Sequence, residues 1–495
     1  MGEKILVVGG GIGGLTAGAL LAENGYDITV LEGSNEWGGC AGKFSRKGFL
    51  FPVGATLGMG FEKGGIHKRV IDYLNLSVTS QRLDHIMTVH IENKMQIQVL
   101  QDRLEHLNNL KSHFQRDKLA IEAFYKKIWK LSNEVKKLMI KLPTIPPQNM
   151  REWTFLLQSL SPSSLKLFPY INQTLLSLLR SCGFEEDHLF TQYIDGQLID
   201  SMQTTSKHCQ CILGALALDI YHEGAFYVEG GLYVIAELLV HHIKEKGGQA
   251  LKRRKVVNVN KKGNEWVLSD QKGDTWHGSH VIFNVPIHSL REILNPALFE
   301  QLPLKYRKNA STPTWGAFTM YLALKEDQSL DKLPLFQQVI SQENKLSDGE
   351  HIFLSLSKKG DTLRAPNGFR TLTISTHTDV NRWFNMENYK ENKLQLEQKI
   401  FNRTQIAIPT IEDQIIYKLS GSPKTWERFT HRPRGMVGGF PQTRHNSLFY
   451  SLSHRTPLKN AWLCGDSIFP GAGTIGASVS GYHVFRSITN YNIQI

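Results

Sequence analysis

Apolar positions near the start of the chain follow two different periods. Residues 5–8 form a continuous apolar run of the kind found in buried strands, and residues 15–24 follow a helical period. A second apolar run, 28–31, comes directly after that helix. A strand, a helix and a strand in close succession are typical of a βαβ unit with parallel strands. The pattern therefore predicts that the chain opens with an α/β fold.

Later segments return to the same kinds of pattern. A helical stretch at 233–246 precedes strand-like runs at 251–259, 265–268 and 280–284, and an apolar run at 461–464 precedes a helix at 477–488. Residues 61–227 look mainly helical. The segment 301–424 combines strand-like runs at 314–324, 352–357 and 369–376 with a charged helix at 388–402.

A glycine-rich loop joins the first strand to the first helix, and it reads Gly9-Gly10-Gly11-Ile12-Gly13-Gly14. In a dinucleotide-binding loop Gly9 permits the tight turn, Gly11 lets the backbone approach a diphosphate, and Gly14 allows the helix to pack closely on the strand. The second strand ends in Glu32, whose carboxylate would bind ribose hydroxyls and repel a 2′-phosphate. The loop therefore predicts binding of FAD or NAD.

Overall composition limits the class of partner. The chain has 495 residues, of which 41% are hydrophobic and 21% charged, as in ordinary globular proteins. Its net charge of +12 favours an anionic partner, either nucleic acid or acidic lipid, and charge alone does not separate these two.

The five cysteines are odd in number and unevenly spaced, which favours a reducing compartment over a disulfide framework. Cys209 and Cys211 lack a second ligand pair at the spacing that zinc needs, so we expect no metal. No run reaches the roughly 18 apolar residues of a membrane span. Because an apolar strand begins at Ile5, we expect no signal peptide and a cytoplasmic location, with a membrane-surface location as the alternative.

Two further glycine motifs decide between FAD and NAD. Gly38-Gly39 follows Glu32 by six residues and leads to Gly54-Ala55, which a plain NAD-binding domain does not require. Near the other end, Gly465-Asp466 follows a short apolar run, and a turn containing Gly473, Ile475 and Gly476 opens the last helix. That helix start would face an electron-rich group. Cofactor-type loops at both ends of the chain favour FAD.

These motifs resemble those of the amine-oxidase superfamily of flavoproteins, and in particular the carotenoid (phytoene) desaturase and carotenoid isomerase family. The resemblance also rests on Gly48-Phe49-Leu50-Phe51, on the Tyr227–Gly231 motif and on Trp426–Thr430. It implies an α/β fold with a Rossmann-like FAD domain, which we place at 1–60, 228–300 and 425–495. An inserted α+β substrate domain would take 61–227 and 301–424.

The resemblance also implies roles for individual residues. Asp466 would contact the ribityl or phosphate region, and the helix start after it would face the N1/O2 edge of the flavin. Backbone at Val256 would contact the adenine. Many members carry arginine after the glycine pair, where this chain has Cys40. The full set of residues expected to bind FAD is Gly9, Gly11, Gly13, Gly14, Glu32, Gly38, Gly39, Gly54, Ala55, Val256, Asp466, Gly473, Ile475 and Gly476.

Family members act on long isoprenoid polyenes, so the resemblance implies an FAD-dependent oxidoreductase with a carotenoid-like substrate and no nucleic-acid partner. The preferred reaction is desaturation by hydride transfer to flavin N5, with a quinone or oxygen as electron acceptor. Carotenoid cis–trans isomerisation is the alternative, and an amine oxidase or a non-catalytic prenyl-lipid binding protein are further ones. No catalytic side chain is assigned, because the flavin itself would carry the chemistry.

A basic amphipathic helix is predicted over 117–142. Its apolar positions recur every three or four residues, and Lys126, Lys127, Lys130, Lys137 and Lys141 lie on the opposite side. Such a helix either packs on the core with a solvated lysine face or lies on an anionic membrane. An isoprenoid substrate dissolved in a bilayer would make some peripheral membrane contact necessary.

Overall fold

The computed structural model describes residues 3–341, 345–385 and 387–495. The strands are β1 (Lys4–Val8), β2 (Asp27–Leu31), β3 (Lys43–Arg46), β4 (Phe49–Pro52), β5 (Gly58–Met59), β6 (Ser80–Arg82), β7 (His85–Ile91), β8 (Met95–Leu100), β9 (Ala225–Val228), β10 (Gln249–Leu251), β11 (Val256–Lys262), β12 (Glu265–Asp270), β13 (Thr275–Gly278), β14 (His280–Phe283), β15 (Trp315–Lys325), β16 (Phe336–Ile340), β17 (His351–Leu356), β18 (Phe369–Asp379), β19 (Ile415–Gly421) and β20 (Ala461–Leu463).

The α-helices are α1 (Ile12–Glu23), α2 (Ile66–Tyr73), α3 (Arg103–His113), α4 (Lys118–Met139), α5 (Met150–Ser159), α6 (Leu175–Arg180), α7 (Leu189–Met202), α8 (Cys211–Glu223), α9 (Tyr233–Glu245), α10 (Ile287–Ile293), α11 (Pro296–Glu300), α12 (Leu304–Asn309), α13 (Gln328–Asp331), α14 (Val380–Phe384), α15 (Tyr389–Ala407), α16 (Ile411–Gln414), α17 (Pro423–Thr430) and α18 (Gly473–Ile488). A longer 3-10 helix covers Pro162–Tyr170.

A five-stranded parallel sheet, ordered β10-β2-β1-β14-β20, gathers strands from both ends and the middle of the chain. Side chains of β1 alternate between its two faces, as the period of a strand requires. Ile5 and Val7 pack in the core that contains α1, α9 and α18, whereas Leu6 and Val8 pack in the core on the other face. The predicted α/β fold with a Rossmann-like sheet is confirmed.

One prediction about secondary structure was wrong, and another, the mainly helical character of 61–227, was confirmed but incomplete. The run 251–259 is not one strand, because the backbone turns at Arg253, whose φ is +57°. Its first part, β10, joins the parallel sheet, and its second part, β11, joins a separate antiparallel sheet with β12 and β13. The segment 61–227 also contains β6 to β9 in addition to helices. Both β7 and β8 complete the large sheet described next.

A seven-stranded mixed sheet has the order β19-β15-β18-β17-β16-β7-β8. One face of its central strands is apolar and packs under α15, with Phe318, Leu322 and Leu372 in that core. Its other face packs on the helices of 61–227 and on β4. Tyr321 on this inner face donates a hydrogen bond of 2.6 Å to the carbonyl oxygen of Val53. The seven-stranded sheet is therefore connected to the segment between β4 and β5, close to the Gly54-Ala55 motif.

The basic helix α4 packs on the core. Its apolar stripe is buried, as shown by Ile121, Phe124 and Ile128, each with no exposed surface. Several of its lysines bind neighbouring groups, since Lys126 pairs with Glu122 and Lys137 pairs with Glu134. The structural interpretation of this helix is confirmed, because α4 has no free apolar face to offer a membrane. Among the described residues, no helix has the length and hydrophobicity needed to cross a bilayer.

Candidate functional site

The glycine loop after β1 has the close packing that its sequence predicts. Gly9 has φ of +98°, and a Cβ there would lie 2.6 Å from the carbonyl oxygen of Asn284. A Cβ on Gly14 would lie 2.8 Å from the carbonyl oxygen of Gly9. Side chains at these positions would push the loop away from β14 and from its own strand. The loop therefore depends on glycine for its shape.

Two helix N-termini meet at this loop. A Cβ on Gly13, in the first turn of α1, would lie 2.9 Å from the carbonyl oxygen of Ala477 in α18. Neither helix has a side-chain hydrogen bond at its N-cap, which is Gly11 in α1 and Ala472 in α18. Neither has an acidic residue in its first turn. Their free N–H groups would donate hydrogen bonds to the diphosphate and to the electron-rich edge of a flavin, and the positive dipole ends would favour both.

Glu32 lies at the end of β2 and is buried. One carboxylate oxygen accepts a hydrogen bond of 2.6 Å from the N–H of Gly10, and the other accepts one of 2.7 Å from the N–H of Ser34. The carboxylate therefore holds the glycine loop in place. Sequence reasoning predicted a ribose-binding role for Glu32 and did not predict this structural one.

The Gly38-Gly39 pair lies against the glycine loop. The N–H of Gly38 donates to the carbonyl oxygen of Gly10 at 2.8 Å, and φ is +99° at Gly38 and +58° at Gly39. A Cβ on Gly39 would come within 3.6 Å of the Cα of Gly11. The loop 9–14 and the Gly38-Gly39 pair therefore line the same space, here named the cradle. The N–H of Ala55 donates to the carbonyl oxygen of Cys40 at 3.0 Å, which ties the Gly54-Ala55 motif to this cradle.

The remaining predicted residues lie around the same region. A Cβ on Gly54 would meet the Trp426 ring at 2.9 Å, and one on Gly476 would meet the carbonyl oxygen of Gly471 at 2.3 Å. Gly473 faces open space, and Ile475 packs against Gly60. Val256 begins β11 and is buried. It lies two residues after Arg254, whose N–H donates to the carbonyl oxygen of Glu32 at 2.7 Å.

Arg432 is a site residue that sequence reasoning missed. Its guanidinium donates a hydrogen bond of 2.6 Å to the carboxylate of Asp466, and both side chains are largely buried. Burial raises the pKa of the Cys40 thiol, and the charge of Arg432 partly offsets this increase. One signal for it was present in the sequence, because arginine is absent after Gly38-Gly39. That absence indicated that an arginine from another segment would take this place.

Metal chemistry receives no support from the described part of the chain, where no cluster of histidine, cysteine and acidic residues is suited to hold an ion. Cys209 and Cys211 are buried, and burial raises the pKa of both thiols. These two cysteines pack in the helical core.

Comparison with known proteins agrees with this geometry. The family model for flavin containing amine oxidoreductase matches residues 12–488. The chain belongs to this family. Its cofactor is FAD, and the uncapped helix starts and glycine-lined cradle described above fit a dinucleotide of that shape.

Relatives of known activity within this flavoprotein family cover nearly the whole chain. Prolycopene isomerase 1, chloroplastic, of an Oncidium hybrid cultivar is 26% identical over 96% of this chain and 82% of that protein. The all-trans-retinol 13,14-reductase of Macaca fascicularis is 23% identical over 96% of this chain and 83% of that protein. The predicted resemblance to the carotenoid isomerase branch is thus confirmed.

Solved structures show the same amine-oxidase-like fold. A putrescine oxidase variant aligns with a TM-score of 0.67 and 13% identity, covering 99% of both chains. An oxidoreductase from Methanosarcina mazei aligns with a TM-score of 0.63 and 15% identity, covering 98% of this chain and 100% of that one. At these identities the likeness concerns the fold alone.

Proposed function

We propose that this flavoprotein acts on the carbon–carbon double bonds of an isoprenoid polyene, with cis–trans isomerisation as its leading reaction. The observation that carries the proposal is the similarity to prolycopene isomerases over 96% of the chain. The desaturation preferred from sequence alone is the second candidate. Both reactions use the same cofactor and the same cradle, and they differ in whether electrons leave the enzyme.

We assign the binding of FAD to the fourteen residues predicted from sequence, together with Arg432. The loop 9–14, Gly38-Gly39 and the start of α18 would hold the diphosphate and the flavin edge through backbone N–H groups. Glu32 would hold the adenosine ribose. FAD, when bound, supplies the redox chemistry. The protein's part is to orient the cofactor and to exclude water.

Peripheral membrane contact belongs to the same proposal, but we place it on a different element from α4. The outer faces of α5 and of the following 3-10 helix expose a group of large apolar side chains, here named the docking surface. It consists of Met150, Trp153, Leu157, Leu160, Leu165 and Phe168. Leu165 and Phe168 are each 75% exposed, which is unusual for apolar side chains grouped so closely.

Charge around the docking surface suits an acidic bilayer. Lys141, Arg151 and Lys166 lie in or beside it. Within the sequence 140–170, Glu152 is the single acidic residue. Its side chain is buried and forms an ion pair with Arg455. The inner side of α5 places Leu156 in a small core with Phe469, three residues after Asp466. A bilayer at this surface would therefore lie close to the cofactor cradle, where an isoprenoid has to arrive.

The proposed function is tested by expression in a host that accumulates prolycopene, followed by chromatography and mass spectrometry of the polyenes. Isomerisation gives a product of unchanged mass, desaturation one that is two mass units lighter, and reduction one that is two heavier. We expect the unchanged mass with a new retention time that the empty-vector host lacks. Absence of any new polyene, together with bleaching of the purified flavin by putrescine, would replace this proposal with amine oxidation.

A further inference from the structure

One part of the inner face of the seven-stranded sheet, where β17 and β18 pair, is polar, although Phe353 beside it and Phe336 and Ile340 of β16 pack in the apolar helical core. Alternation along β15, β17 and β18 puts apolar residues in the core under α15. On the inner face the same strands carry hydroxyl and imidazole groups. These side chains are Thr319, Tyr321, Thr371, Thr373, Ser375, His377, His351 and Ser355.

Several of these polar atoms are buried without a hydrogen-bond partner. Both ring nitrogens of His351 and Nδ1 of His377 are in this state. The hydroxyls of Ser355, Thr371 and Thr373 are also buried without a hydrogen-bond partner. Buried polar groups are normally hydrogen-bonded, because leaving one unpaired costs free energy. A group of them on one face indicates that a ligand with polar atoms completes the set.

Part of this face keeps accessible surface. Trp315, Ala317, Ser375 and His377 are partly exposed although they lie on β15 and β18. On α7, the Asp200 side chain is 23% exposed. Burial raises the pKa of Asp200 to about 6 and lowers that of His377 to about 4. These partly exposed side chains are within reach of a ligand, whereas the His351 side chain beside Asp200 has no exposed surface.

Asp200, His351 and His377 form a polar cluster at this part of the face, here named the polar end. Asp200 accepts a hydrogen bond of 2.7 Å from the side-chain amide of Gln338, and His351 Nε2 lies 3.5 Å from the same carboxylate. The electrostatic interaction between Asp200 and His377 affects the pKa of each. The lowered pKa values leave both imidazoles neutral near pH 7, so each offers one donor and one acceptor.

The polar end is separated from the cofactor cradle by part of one strand. Tyr321, which binds the carbonyl of Val53 beside the cradle, pairs with Thr373 of β18. His377 lies four residues further along β18, or about 13 Å at about 3.3 Å per residue. A ligand reaching from the cradle to His377 would thus have a reactive part near the flavin and an end group among the three polar side chains.

We propose that Asp200, His351 and His377 form a subsite for an uncharged oxygen-bearing end group, a hydroxyl or a carbonyl, of the isoprenoid substrate. This inference rests on the proposed function and specifies that an isoprenoid with such an end group binds more tightly than the corresponding hydrocarbon. An oxygen function both donates and accepts, or accepts alone, and neutral imidazoles satisfy either case. A protonated amine only donates hydrogen bonds, so it would leave the N–H of each neutral imidazole without an acceptor.

The test compares two ligands that differ only in the end group. Oxidised holoenzyme is titrated anaerobically with all-trans-retinol and with axerophtene, in which a methyl group replaces the CH2OH group, and the flavin spectrum reports binding. We expect retinol to bind about tenfold more tightly, the equivalent of one net hydrogen bond. His377→Phe and Asp200→Asn should each reduce this ratio toward one while leaving the affinity for axerophtene within about twofold.

A matched control keeps the interpretation specific. Thr319→Val removes a hydroxyl from the same face that already donates a hydrogen bond to the carbonyl oxygen of Gly421, so it should retain the wild-type ratio. Equal binding of the two ligands by the wild type would overturn the subsite while leaving the proposed function in place. Loss of the ratio in Thr319→Val would also overturn it. A flavin spectrum that responds to neither ligand but responds to putrescine would overturn both proposals.

Discussion

Arg432 and Asp466 form a buried ion pair of 2.6 Å at the centre of the cofactor site. The two residues come from different segments, since Arg432 follows α17 and Asp466 follows β20. The charge of Arg432 also acts on the thiol of Cys40, at the position where the family resemblance predicts arginine. The guanidinium therefore lies close to the glycine-pair segment, and we propose that it would give the diphosphate a positive partner that this segment lacks.

Arg432→Gln is expected to weaken FAD binding. It removes a charged hydrogen-bond donor and leaves Asp466 without its partner, and such bonds contribute about 1.5–3 kcal/mol. Reconstitution of apoprotein with FAD, followed by flavin fluorescence, measures the dissociation constant. Arg432→Lys should lie between the variant and the wild type. Arg434→Gln is the control, because Arg434 lies only two residues from Arg432 in the sequence but packs on Phe384. Equal affinities for Arg432→Gln and Arg434→Gln would contradict the assignment.

Glu32→Ala should also reduce flavin content, for two separable reasons. Alanine removes the ribose partner, worth about 1.5–3 kcal/mol, and it leaves the N–H groups of Gly10 and Ser34 without acceptors. Glu32→Gln retains one acceptor and loses the charge. We expect the Gln variant to keep the apoprotein melting temperature closer to wild type than Ala does, while both lose flavin on dialysis. Full flavin retention by both variants would show that Glu32 is not the ribose ligand.

The cradle was largely predictable because its parts are local. The glycine loop, Glu32 and Gly38-Gly39 lie within the first βαβ unit and its continuation, and short offsets determine their geometry. The C-terminal motif follows the same logic around β20 and α18. The sequence of β8 also indicates a strand, since Met95, Ile97 and Val99 alternate with polar residues. The interpretation of 61–227 as mainly helical did not take this two-residue period into account.

Contacts between distant segments could not be predicted in this way. Arg432 meets Asp466 only because α17, β15 and the parallel sheet pack together, and no spacing in the sequence encodes that approach. The polar face that carries His377 and His351 likewise depends on which side of β17 and β18 turns inward. Alternation gives two faces, but it does not say which face packs under α15 and which one lies beside Asp200 of α7.

Buried histidines should make the free energy of unfolding depend strongly on pH below 6.5. Burial lowers the pKa of His351 to about 3 from 6.5, and those of His67 and His377 to about 4. Below pH 6.5 the unfolded chain binds protons that the folded chain does not, so stability falls as pH falls from 6.5 toward these lowered values. Each such group lowers the free energy of unfolding by about 2 kcal/mol at pH 5.

His351→Phe tests this dependence cleanly, because neither ring nitrogen has a hydrogen bond to lose. Urea unfolding of the FAD-loaded protein at pH 7.5 and at pH 5 gives the change in free energy. We expect the drop between the two pH values to be about 2 kcal/mol smaller in the variant than in wild type. His241→Phe is the control, since His241 is an exposed residue of α9. An unchanged drop in His351→Phe would mean that this imidazole is protonated in the folded protein.

The docking surface gives a prediction that separates apolar insertion from attraction by α4. Leu157, Leu165 and Phe168 are more than half exposed, and transfer of such side chains into a bilayer interface is favourable by up to about 1.5–3 kcal/mol each. Replacing the three by Gln should therefore lower binding to anionic vesicles by more than tenfold in co-sedimentation, with flavin content unchanged. A control triple variant with Gln at Leu104, Leu304 and Leu394 removes similarly exposed leucines that lie outside both α4 and the docking surface, and it should bind like wild type. Neutralising Lys126, Lys127, Lys130, Lys137 and Lys141 should reduce binding only at low salt, because exposed charges act within about 10 Å. Retained binding in the docking-surface variant combined with loss in the lysine variant would transfer the membrane contact to α4.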